Sequence, residues 1–67
     1  MAPHRLTPRE AQILRLAAEG LSRDEIAATL VLSNSTVKTH LEHVYSKLGV
    51  SNRAAAVATA LRERLID

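Results

Sequence analysis

The sequence predicts an all-α fold of four short helices, and three observations carry that expectation. Thr7-Pro8-Arg9-Glu10 and Ser22-Arg23-Asp24-Glu25 both have the hydroxyl-x-x-glutamate spacing of a capping box. In that motif the hydroxyl accepts from the amide three residues on, while the glutamate reaches back to the amide of the cap. Pro8, Gly20 and Gly49 fall where such helices would begin or end. Finally, 46% of the 67 residues are hydrophobic, but most of these are alanine and leucine and Tyr45 is the only aromatic residue. That composition suits close-packed short helices and offers little to a sheet.

The elements follow in order. Helix one is expected over about 8–19, with Thr7 as its cap and Pro8 at the first helical position, where its missing N–H costs nothing. Ala11, Ile13, Leu14, Leu16, Ala17 and Ala18 form a broad apolar stripe. Gly20 supplies a left-handed stop, and Leu21 folds back onto the last turn. Helix two, about 22–30, turns Ile26, Ala27 and Leu30 inward, and Val31 with Leu32 makes the turn. Ser33 is the next N-cap, and helix three runs over 33–48 until Gly49 ends it. Ser51 or Asn52 then caps an alanine-rich helix four, expected over 51–65. No internal repeat, low-complexity tract or linker interrupts the chain, so residues 1–67 read as one domain, near the lower size limit for a core without disulfides or metal.

Residues 22–48 have the outline of a helix-turn-helix, and helix three carries its chemistry. At 100° per residue, Val37, Leu41, Val44 and Leu48 fall in one narrow arc, which is the core side. The opposite arc holds Ser35, Thr39, Glu42 and Ser46, flanked by Lys38 and His43. A merely solvated face would be rich in long Lys and Glu side chains, whereas short polar groups permit close approach to base edges in a major groove. Lys38 and Lys47 are placed to meet phosphates, and Thr36 adds a hydroxyl near the helix start, where free amides favour an anion.

Other classes find less support. Nine Lys plus Arg against seven Asp plus Glu leave a net charge of +2, too small to argue for nucleic acid by itself. The absence of cysteine excludes disulfides and thiolate metal sites and fits a reducing cytoplasm. No apolar run approaches the roughly 20 residues needed to span a bilayer, and MAPHRL has no apolar signal segment, so a cytoplasmic, unanchored protein is expected. There is no nucleophile with a base and an orienting group, and no phosphate loop, so no enzyme, cofactor or small-molecule ligand is expected. His40 and His43 flank Glu42 but lack a third close ligand, so no metal site is read there. His40 is expected to pack and hydrogen-bond between helices, and Tyr45 to lie at the core edge with its hydroxyl wet.

The chain resembles the LuxR/FixJ-type (NarL-type) helix-turn-helix domain of bacterial transcription factors. The resemblance rests on LTPRE at 6–10, AAEGLS at 17–22, EIA at 25–27, S-x-x-TVKTHL at 33–41, KLGV at 47–50 and Asn52-Arg53, all in the order of the family. It implies a tetrahelical domain that binds double-stranded DNA as a homodimer, with helix three in the major groove and helix four at the dimer contact. Base contacts would then fall to Lys38, Thr39 and Glu42, with Ser35 at the margin, and backbone contacts to Thr36, Lys47, His43 and Ser33. Ala54, Ala58, Leu61 and Leu65 repeat a 4-3-4 spacing suited to the dimer contact, while Ala56, Val57 and Ala60 lie on another face. Glu42 departs from relatives that carry a basic or neutral residue there. It either accepts from a cytosine amino group or pairs with Lys38 at i, i+4, an interaction contributing only ~0.2–0.5 kcal/mol. The alternative function is a protein-interaction module contacting RNA polymerase, which would lack a steep salt slope on duplex DNA. The start only a few residues before Thr7 fits both a stand-alone regulator and a fragment of a longer one.

Overall fold

A computed structural model describes residues 6–66; the expectation about MAPHRL therefore lies, except for Leu6, outside the described residues. The four helices are α1 (Pro8–Ala18), α2 (Arg23–Leu30), α3 (Asn34–Leu48) and α4 (Arg53–Arg62), with no strand among the described residues. Each begins at a side-chain cap. Thr7 Oγ1 accepts from the Glu10 amide at 3.1 Å and Glu10 Oε1 from the Thr7 amide at 2.9 Å. Ser22 and Glu25 repeat the pair at 3.1 and 2.8 Å. Ser33 Oγ accepts from the Thr36 amide at 3.1 Å, and Asn52 Oδ1 from the Ala55 amide at 2.8 Å, so Asn52 rather than Ser51 caps α4.

All four helices end by one device. A left-handed residue (Gly20, Val31, Gly49 or Arg64) reverses the chain. The amide of the apolar residue after it then bonds back five residues: Leu21 to Leu16 O (3.2 Å), Leu32 to Ala27 O (2.8 Å), Val50 to Tyr45 O (3.0 Å) and Leu65 to Ala60 O (2.8 Å). Leu21, Leu32, Val50 and Leu65 all pack against the core. The device shortens α4, which stops at Arg62 instead of continuing to 65. Leu65 consequently leaves the helix-four stripe on which it was expected, and Ile66 beside it is buried.

The core is assembled around α3, which packs against each of the other helices, while α1 also meets α2 and α4. Ile13, Leu14, Ile26, Val37 and Val44 are fully buried, and Leu41, Leu48, Ala56 and Ala60 complete the centre. The expected α3 arc is thus the buried one. Ala18, placed on the α1 stripe from the sequence, is exposed instead, because the chain is already turning toward Gly20. Thr59 is buried on the inner face of α4 between Ala56 and Ala60.

Candidate nucleic-acid interface

The outward face of α3 presents Ser35, Lys38, Thr39, Glu42, His43 and Ser46 to solvent, with Thr36 half-buried at its edge. Four core side chains on the opposite side fix this helix against the rest of the fold, so the polar face is held on a rigid element. Hydrogen bonds then set the polarity of each hydroxyl. Ser33 Oγ donates to Thr36 Oγ1 at 2.8 Å while accepting the Thr36 amide, and lies 3.2 Å from Ser35 Oγ. Its hydroxyl caps the helix, and Thr36 keeps its own proton to donate. Thr39 donates to the Ser35 carbonyl at 3.0 Å, leaving its oxygen to face outward as an acceptor beside its methyl group. Lys38 and Glu42 form no ion pair with each other, and neither has a hydrogen-bond partner among the described residues. The i, i+4 alternative for Glu42 is therefore not the arrangement adopted.

Lys47, expected from the sequence to meet a phosphate, also has a partner within the fold. Its Nζ donates to Glu10 Oε1 at 2.6 Å, tying the end of α3 to the first turn of α1. Glu10 is only 4% exposed. Burial alone pushes its carboxyl up, but the hydrogen bond from Lys47, the Thr7 amide and the lysine charge outweigh that and hold it below the usual glutamate value. His40 is half-buried on the flank of the core arc, but it makes no hydrogen bond to another helix among the described residues. Tyr45 is half-buried at the core edge as expected. Among the described residues no cluster of three metal-ligating side chains occurs, and no helix is long and apolar enough to cross a membrane.

Two contacts between separate elements carried no signal in the sequence. Asn34, the first residue of α3, donates through Nδ2 to Asp24 Oδ1 in the first turn of α2. Arg53 Nη1 donates to the Leu21 carbonyl just before α2. Asp24, Asn34 and Arg53, together with Ser22 and Tyr45, line an open depression along one side of α3. The partners lie ten and 32 residues apart, so only the folded chain reveals them. On α4, Ala54 and Ala58 are exposed and Leu61 is 46% exposed, while Leu65 has left their row.

Comparison with known proteins places this architecture. The family described as "Bacterial regulatory proteins, luxR family" matches residues 4–60. The chain belongs to the LuxR family of bacterial regulatory proteins. It is 55% identical over 62 residues to the probable transcriptional regulatory protein NarL of Mycobacterium tuberculosis, covering 92% of this chain and 29% of that protein. It is 50% identical over 62 residues to the quorum sensing-dependent transcriptional regulator VjbR of Brucella abortus, covering 92% and 24%. The chain thus spans less than a third of the length of these LuxR-family relatives. Among solved structures, the response regulator ChrA of a heme-sensing two-component system superposes with a TM-score of 0.89 at 54% identity, over 91% of this chain and 30% of that one. The transcription factor GerE superposes with a TM-score of 0.87 at 35% identity, over 92% of both. The LuxR family is a DNA-binding helix-turn-helix family of transcription regulators and not a family of enzymes.

Proposed function

We propose that this LuxR-family domain reads a specific double-stranded DNA sequence with α3 in the major groove, and that two copies bind together through α4. The observation that carries the reading is the rigid polar face of α3: Lys38 stands unpaired among the described residues, beside short hydroxyl groups, on a helix whose other side is fixed by Val37, Leu41, Val44 and Leu48. In this arrangement Lys38, Thr39 and Glu42 meet base edges with Ser35 at the margin, and Thr36 and His43 meet the backbone. Ser33 supports Thr36 by fixing the polarity of its hydroxyl. Lys47 contributes to the fold through Glu10. The second copy, related through Ala54, Ala58 and Leu61, reaches a half-site about one helical turn away, roughly 34–36 Å.

The test is a titration of a selected duplex and a scrambled one over a range of salt concentrations. Affinity for both should fall steeply as salt rises, because phosphate contacts release counterions. Lys38→Ala should weaken binding to the selected duplex by roughly 1–3 kcal/mol more than to the scrambled one. Equal losses on both would make Lys38 a phosphate contact only, and no affinity for any duplex at low salt would overturn the reading.

A further inference from the structure

We propose that Glu42 is a specificity-determining residue that selects cytosine in the half-site and excludes bases presenting an acceptor there. The inference rests on the major-groove reading above. It starts from the absence of a partner among the described residues: Glu42 is exposed on the polar face of α3, and Lys38, one turn earlier, does not pair with it. Its neighbour Thr39 gives its proton to the Ser35 carbonyl and so adds a second outward acceptor, three residues away on the same face. Glu42 and Thr39 therefore form a patch that accepts hydrogen bonds and donates none.

Base chemistry restricts what such a patch can meet. Guanine presents N7 and O6, and thymine presents O4, so both turn lone pairs toward a carboxylate. Adenine offers the N6 amino group but sets the N7 lone pair beside it. Cytosine offers its N4 amino group without an adjacent ring acceptor, which leaves it as the base that satisfies Glu42. Lys38, by contrast, carries only donors and suits guanine O6 and N7. Four helical residues rise about 6 Å, less than two base steps of about 3.4 Å. The half-site should accordingly place a guanine and the selected cytosine on the same or neighbouring base pairs. A carboxylate on this face also repels phosphate, so Glu42 weakens binding to every sequence in which it finds no amino group.

The test is selection from a random duplex pool with the wild-type chain, Glu42→Gln and Glu42→Ala, followed by titration of the enriched duplex and a scrambled one. Circular dichroism of the variants confirms the fold, which an exposed position should leave unchanged. The wild type should enrich a cytosine that both variants lose or exchange, with adenine entering for Glu42→Gln, whose amide both donates and accepts. Replacing that cytosine should cost the wild type about 5- to 150-fold in affinity and the alanine variant little. Affinity for the scrambled duplex should rise severalfold in both variants. A wild-type motif retained unchanged by both variants, or a change falling on guanine or thymine, overturns the role of Glu42 while leaving DNA reading intact. A wild-type selection that enriches no sequence overturns the DNA reading itself.

Discussion

At the scale of single residues, Glu10 and Lys47 show how one ion pair ties the end of α3 to the first turn of α1. The Glu10 carboxylate closes the α1 capping box through the Thr7 amide and accepts Lys47 with the same oxygen. A buried carboxylate with one partner removed is costly, because desolvation of the charge is no longer offset. The lysine side chain is 34% exposed, so solvent already screens part of the pair. Lys47→Met should therefore destabilise the domain by about 1–2 kcal/mol at pH 7. The sign of the pH dependence follows from the lowered carboxyl of Glu10. Its contribution is fully present above the ordinary glutamate range and is lost as pH falls through the lower folded value. In the variant the lowering influence of the lysine is gone and burial is opposed by the Thr7 hydrogen bonds alone, so the carboxyl rises and protonation costs folding less. The stability gap between the two proteins should consequently shrink as pH is lowered from 7 toward 4, as measured by urea unfolding at each pH. A constant gap would mean that Lys47 stabilises by packing its methylenes alone. Nothing local announces this pair, since its members lie 37 residues apart and each has a plausible local role.

At the scale of elements, helix starts were legible and helix ends only half so. Every start uses a hydroxyl, carboxamide or glutamate within three residues of its partner, so the capping chemistry is written contiguously. Ends use a left-handed residue, and glycine marks that conformation only at Gly20 and Gly49. At Arg64 an ordinary residue adopts it because Leu65 and Ile66 gain burial by turning back, a tertiary reward that periodicity along α4 does not contain. The polar face of α3 was legible because one helix carries it whole, whereas Asp24–Asn34 and Arg53–Leu21 join separate elements. Val31 is the sharpest case: a β-branched residue at φ 56° with its side chain 90% exposed, in the turn between α2 and α3. The left-handed region crowds its Cβ at a cost of about 1–2 kcal/mol, and no burial offsets it. Val31→Gly removes that crowding but enlarges the entropy of the unfolded chain by up to about 1 kcal/mol. The net expectation is stabilisation by about 0.5–1 kcal/mol, seen as a higher urea midpoint at unchanged slope. A lower midpoint would show that the Val31 methyl groups shield the turn more than its backbone conformation strains it.

At the scale of the whole molecule, the proposed pairing of two copies rests on α4. Its inner side is spent on the core through Ala56, Thr59 and Ala60, which leaves Ala54, Ala58 and Leu61 as the outer apolar row. A ten-residue helix is about 15 Å long and 10 Å wide, so its face buries at most a few hundred Å² per partner, below the roughly 800 Å² of a standard interface. The loss of Leu65 from the row shortens it further. Such a contact is too small to hold free domains together at micromolar concentration, but adjacent half-sites raise the effective concentration of the second copy to the millimolar range. The chain alone should thus sediment as a monomer, and two copies should bind a duplex bearing paired half-sites cooperatively. Ala58→Glu places a carboxylate against its own symmetry mate at the centre of the row. It should abolish cooperativity and leave both the fold and the affinity for a single half-site unchanged. Sedimentation of wild type and variant, each alone and with one-site and two-site duplexes, separates these outcomes. Independent binding of wild-type copies to the two-site duplex would exclude α4 as the dimer contact, because the geometry that favours the contact most would then have failed to produce it.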